Sequence, residues 1–456
     1  MTSLFIFRRD LRLRDNTGLL RALAESDKVI PAFIFDPRQT GRHPYKSENA
    51  LQFMIASLRE LERELRAKGS RLYLFEGAAE KVVAGLVRSE GLGAVYVNRD
   101  YTPFSHGRDA AIAAACRDAN AAFVTTGDAL LNEPEDVAKA GGGPYAVFTP
   151  FFRAARSIAV RAPRDSGRRN YHSGAVDGEA GEAVYDRVFR RQNDRLFRKG
   201  GRREALAGLK RLGRLRDYEK THDLPAVEGT TGLSPHLKFG TISVRELHAA
   251  VREELGPGHP VLRQLYWRDF FTHVAAHFER VFGRPFHAAY ESIRWRDDPR
   301  GFRRWQEGTT GFPIVDAGMR QLAATGFMHN RARMICASFL VKDLHIDWRE
   351  GERHFATELE DYDPCINNGN WQWVASTGCD AAPYFRIFNP WLQQKRFDPD
   401  AAYVKRWVPE LAQAGADLIH RLDRFEGRRP GGYPAPMLDH GAESVRSLAM
   451  YRQARA

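Results

Sequence analysis

Short apolar runs separated by amphipathic stretches dominate the first 130 residues, and no other feature of this 456-residue chain narrows its fold as much. Leu4–Phe7, Val29–Phe35, Arg71–Phe75, Ala94–Val97 and Ala122–Thr125 have the length and composition of buried strands. Between them, residues 47–68, 78–89 and 105–119 space their apolar side chains as helices do. Such alternation predicts a doubly wound parallel sheet, a Rossmann-like α/β domain over residues 1–130. The first run leads into Arg8-Arg9-Asp10-Leu11 and not into a glycine-rich loop. The usual dinucleotide fingerprint is absent, so the sheet need not hold NAD.

Residues 131–215 read as a connector and residues 216–456 as an all-α domain. Gly141-Gly142-Gly143-Pro144 predicts a flexible break. Arg190, Arg191, Arg195, Arg198, Lys199, Arg202 and Arg203 form a basic run, with Lys210, Arg211, Arg214 and Arg216 close behind. A solvated face accounts for most of them. All eight tryptophans lie in the second half, which suits a domain that holds an aromatic ligand or handles electrons.

The formal net charge of +12 suits a polyanionic partner, because each neutralised phosphate releases counterions. No apolar run is long enough to span a bilayer, and the N-terminus lacks signal-peptide character, so a cytoplasmic or nucleoid location is expected. Cys116, Cys336, Cys365 and Cys379 show no paired spacing and read as reduced structural thiols, with no metal site.

Four stretches carry chemistry. Gly229 to Leu237 reads as a loop opening a helix, with Ser234 as N-cap, Pro235 in the first turn, and hydroxyls and N–H groups suited to phosphate. Gln264, Trp267, Arg268 and Phe271 share one helical face, which suits a stacked base beside phosphates. Asn330 and Met334 are one turn apart on a helix whose first turn holds Arg331 and Arg333, against the macrodipole, so an anion is expected nearby. Asp361 to Trp373 is the densest polar–aromatic stretch. Asp363 before Pro364 reads as an N-cap, and Asn367 and Trp371 would face the same way.

These segments resemble the photolyase/cryptochrome family, most closely the class I cyclobutane pyrimidine dimer photolyases. The resemblance rests on Phe7 to Asn16, Tyr145 to Phe151, Gly229 to Leu237, Trp267 to Phe271, Met328 to Met334, Asp343 to Glu352 and Asn367 to Pro390, in order along the whole chain. It implies a helical domain holding FAD and a reaction in which light drives an electron from reduced FAD to a dimer in UV-damaged DNA. Tyr218, Thr230, Thr231, Gly232, Leu233, Ser234 and Arg268 match cofactor-binding positions. Gly232 stands where an arginine often occurs, which implies mainly backbone contacts there. Asp361, Asp363 and Asn367 match the residues around the ribityl chain and ring. Asparagine at 367 is the photolyase choice, whereas cryptochromes carry aspartate or cysteine.

Trp371, Trp348 and Trp295 match the chain that carries electrons to the flavin. Trp267 and Trp373 match the walls of the lesion pocket, and Arg331, Arg386 and Gln393 match DNA contacts. Gln264 stands where dimer photolyases commonly have glutamate and resembles six-four photolyases. Those enzymes, however, carry a histidine pair at the positions of Asn330 and Met334. Dimer repair is therefore the expected activity, with a cryptochrome-type photoreceptor or a six-four photolyase as alternatives, in a monomeric protein. The segment Asn98 to Phe104 resembles members whose second, light-harvesting chromophore is a deazaflavin or flavin in preference to folate.

Overall fold

The computed structural model describes residues 1–380 and 385–455. Strands β1 (Thr2–Phe7), β2 (Lys28–Phe35), β3 (Tyr73–Glu76), β4 (Ala94–Asn98) and β5 (Ala122–Thr126) form one parallel sheet in the order β3-β2-β1-β4-β5. Side chains alternate across it. Phe5, Phe7, Phe33 and Phe35 pack against helices Thr17–Glu25 and Glu48–Arg66, while Leu4, Ile6, Ile30 and Ala32 pack against Ala79–Ser89 and Pro103–Asp118. Both faces are covered, which is why these strands read as continuous apolar runs.

The chain order reverses between β1 and β4, so their carboxyl ends open a crevice. Arg8–Asn16 follows β1 there and serves as a clamp. Arg12 pairs with Asp128 at 2.7 Å, and Arg245 of helix Val244–Leu255 pairs with both Asp15 (2.8 Å) and Asp128 (2.7 Å). All four side chains are buried. Burial, the largest influence, opposes ionisation of Asp128, but Arg12 and Arg245 overcome it and hold the carboxyl at about 2.

Residues 131–215 carry short helices, among them Phe148–Ala155 and Arg202–Leu209. The glycine run closes a tight turn and does not leave a break: Lys139 N donates to Gly143 O at 3.1 Å, beside a bridge between Ala138 and Pro144. Arg202 departs from the solvated face as well, because it is buried on Glu246 at 2.7 Å. Beyond residue 233 the described chain is helical, and no described helix is long and apolar enough to cross a membrane. All four cysteines are buried and unpaired.

Candidate functional site

Helix Pro364–Ala375 organises the site. Asp363 caps it, accepting from Cys365 N (3.0 Å) and Ile366 N (3.3 Å), and Pro364 fills the first turn. Gly369 lets this helix approach helix Pro260–His277 closely, because a Cβ there would meet the Phe271 ring at 2.2 Å. Together with helix Asn330–Ser338 and the 230–238 turn, these helices enclose a cavity of about 470 Å³, within the usual range for ligand sites.

Tyr218, Thr230, Thr231 and Ser234 line it, as do Gln264, Trp267, Arg268, Phe271, Asn330 and Met334. Asp361, Asp363, Asn367, Trp371 and Trp373 line it too. Asn367 Nδ2 donates to Glu352 O at 3.1 Å, which fixes the amide and leaves its Oδ1 as the acceptor. The Trp267 ring stacks on Phe148 at 3.5 Å and 6°. At the rim Gln264 and Asn330 are exposed, and Asn330 Nδ2 lies 3.7 Å from Met334 Sδ.

Other expected residues fall outside the cavity lining. Gly232 and Leu233 form the turn behind it. Trp348 is buried, and it shares one core cluster with Trp371; half-buried Trp295 packs on that cluster. The nearest rings to Trp371 are Phe355 (4.9 Å) and Trp305 (6.3 Å). Arg331 is held on Asp223 at 2.7 Å and lies over the Phe397 ring, Arg386 is exposed, and Gln393 is half-buried. Residues 381–384 of the matching Asn367–Pro390 segment lie outside the described residues.

Ser234 is not the N-cap expected from its sequence. It is the first residue of helix Ser234–Lys238, and its hydroxyl donates to Asp361 Oδ2 at 2.6 Å, so a carboxylate has drawn it away from the backbone. The anions expected near Arg331 and Arg333 are the protein's own: Asp223 for the first, and Asp361, at 2.9 Å, for the second. Arg268 lines the cavity but spends its guanidinium on Ala129 O (2.5 Å) and Leu237 O (3.5 Å).

Sequence reasoning missed Lys238 and Tyr362, which also line the cavity. Lys238 lies one turn beyond Ser234, so helical spacing could have found it. Tyr362 could not have been found that way, because its ring stacks at 6.4 Å on Tyr45 from the α/β half. Charge is concentrated behind both residues. Arg9, after β1, pairs with Asp100 at 2.8 Å and contacts Asp363. Burial and the neighbouring Arg9 push Lys238 down to about 8, against the pull of Asp363 and Asp100. Burial works against the Asp363 charge, yet Arg9, Lys238 and Arg268 hold its pKa below the ordinary carboxylate range.

Residues 3–166 match the DNA photolyase family, and residues 261–453 match the FAD binding domain of DNA photolyase. The deoxyribodipyrimidine photo-lyase of Escherichia coli K12 is 37% identical over 478 residues, spanning 100% of this chain and 99% of its own. The chain belongs to the DNA photolyase family. A second relative with the same name, from Alkalihalophilus pseudofirmus, is 34% identical over 98% of this chain and 97% of its own. Among solved structures, an archaeal photolyase from Sulfolobus tokodaii, described with two FAD molecules, is 44% identical (TM-score 0.90, 99% of this chain and 100% of that one). A class III photolyase from Agrobacterium tumefaciens is 36% identical (TM-score 0.92, 100% and 98%), and a Synechocystis cryptochrome is 28% identical (TM-score 0.91, 98% and 99%). Membership in the photolyase family accounts for the two-part architecture. The donor set of the cavity fits the family's FAD: hydroxyls, buried carboxylates, a fixed amide and aromatic rings all line it.

Proposed function

We propose that this protein is a deoxyribodipyrimidine photolyase, which uses light and FAD to split cyclobutane pyrimidine dimers in DNA. The observation that carries this reading is the layout of one cavity. Its lining hydroxyls suit a dinucleotide, and the same lining holds Gln264, Trp267, Asn330, Met334 and Trp373, which suit a second aromatic ligand. The relatives' shared name adds the reaction.

The chemistry FAD supplies when bound is an electron lent to the dimer from photo-excited, reduced flavin and then returned. The chain supplies position and electrostatics. Asn367 offers Oδ1 as an acceptor, Arg333 and Ser234 hold Asp361 in place, and Trp371 joins the cavity to the core tryptophans. Trp267 and Trp373 would stack on the flipped lesion. Asn330 and Met334 offer no acid–base group there, which favours dimers over six-four photoproducts. Gln264 both donates and accepts, so either edge of a pyrimidine satisfies it.

The second chromophore would occupy the crevice at the carboxyl ends of β1 and β4. Arg8, Arg9 and Arg108 each keep a buried guanidinium N–H without a partner among the described residues, and Phe104 stands exposed between Arg38 and Arg108. Such a site, with unused arginine donors beside an exposed ring, favours a deazaflavin or flavin. A second FAD is the form suggested by the archaeal relative.

Illumination of the reduced protein with DNA carrying one defined lesion tests the reading. Dimers should be split, six-four photoproducts should remain, and Gln264→Glu should retain dimer repair. Repair of six-four DNA with dimers left intact would overturn it.

A further inference from the structure

The 230–234 turn of the cavity is held from behind by two connector arginines. Arg214 Nη2 donates to Thr230 O at 3.0 Å, and Arg198 Nε donates to Gly232 O at 3.1 Å. Arg214 is also paired, with Glu228 at 2.9 Å. Arg198 has no ion pair among the described residues, and its Nη1 and Nη2 make no hydrogen bond to them. Its guanidinium lies over the Phe197 ring at 4.0 Å, and Phe197 is stacked in turn on Phe327 at 3.8 Å, so the fork is fixed in place.

Gly232 shows what this fork replaces. The residue has a φ of +62°, and a Cβ there would meet Arg198 Nη2 at 2.3 Å and Cζ at 3.1 Å. The guanidinium fills the space that a side chain at 232 would enter. Burial, with Arg211 and Arg214 nearby, presses Arg198 below the ordinary arginine value, against Glu228 and Glu360. A half-buried cation with two terminal NH2 groups unpaired among the described residues, behind a hydroxyl-rich turn, suits an oxyanion.

We infer that Arg198 is a cofactor-binding residue: its Nη groups bind the diphosphate of FAD in place of a side chain at position 232. This replaces the expectation of mainly backbone contacts at Gly232, and it rests on the FAD reading of the cavity. Arg198 comes from a basic run that sequence reasoning assigned to a solvated face.

The test uses full-length protein stripped of flavin and titrated with FAD and with riboflavin, which carries no phosphate. Losing one charge-assisted contact should weaken FAD binding by about tenfold or more in Arg198→Gln. Riboflavin binding should stay at the wild-type level, and the salt dependence of FAD binding should become shallower. Arg198→Lys, which keeps the charge, should fall between Arg198→Gln and wild type. DNA affinity of the FAD-loaded variant should match wild type. Unchanged FAD affinity, an equal loss for both flavins, or a loss confined to DNA would each overturn the assignment. Wild-type protein that takes up no FAD would instead overturn the cofactor reading itself.

Discussion

Glu352 lies behind Asn367, only 5% exposed, and burial pushes its carboxyl up to about 7. In the unfolded chain it ionises near the ordinary value of 4.5. Between those two values the folded protein holds a proton that the unfolded chain has released, so stability falls as pH rises through the window. Glu352→Gln removes this titration while its Oε1 still accepts from Asn368, 3.2 Å away in the parent. Urea melts should show the variant equal to its parent below pH 4.5 and more stable above pH 7, by up to about 3 kcal/mol; parallel pH profiles would place the titrating group elsewhere. Trp371 is the other decisive residue, because it is the buried tryptophan that both lines the cavity and packs on the core tryptophans. Trp371→Phe should remove most light-driven reduction of the oxidised flavin, followed by its absorbance, while chemically pre-reduced protein still repairs dimers. If photoreduction survives, electrons enter through another ring.

At the scale of elements, the cap of helix Pro364–Ala375 does two jobs. Asp363 accepts two backbone N–H groups and meets the Arg9 charge from the sheet. Asp363→Asn keeps an N-cap but strands Arg9 beside Asp100 alone. Breaking a buried pair on one side costs roughly 3–5 kcal/mol, so a drop in unfolding free energy well beyond the ~1 kcal/mol of a lost cap is expected. A drop no larger than a cap's would mean that water screens the pair. The elements were largely legible in sequence. All five strands and the helices near residues 47–68, 78–89 and 105–119 stand within a few residues of their apolar patterns, because both faces of the sheet are buried. Helix Thr17–Glu25 was missed: it is short, and Gly18 in its first turn weakens the pattern. Many of the residues expected at the site line one cavity, because helical spacing places them. Arg198 and Tyr45 were not legible, since periodicity says nothing about where a connector or loop lies against another domain.

For the whole molecule, the charge of +12 becomes testable through DNA. Affinity should fall as salt rises, and Arg331→Ala should weaken damaged and undamaged DNA alike, with a salt slope smaller by about one. Asp223 competes for that guanidinium, so Asp223→Asn should tighten both. Trp373→Ala should act mainly on damaged DNA, and a variant that keeps full discrimination would remove Trp373 from the lesion pocket. The buried charges that join the two halves reach beyond this one chain. Arg9, Asp15 and Asp128 lie within the first 130 residues, whereas their partners Asp363 and Arg245 come from far later in the chain. Recombination that exchanged the first 130 residues with a relative's would therefore leave unmatched charges buried on both sides of the graft unless each pair was inherited together. Viable chimeras should be those whose parents agree at these few positions, however different their surfaces have become.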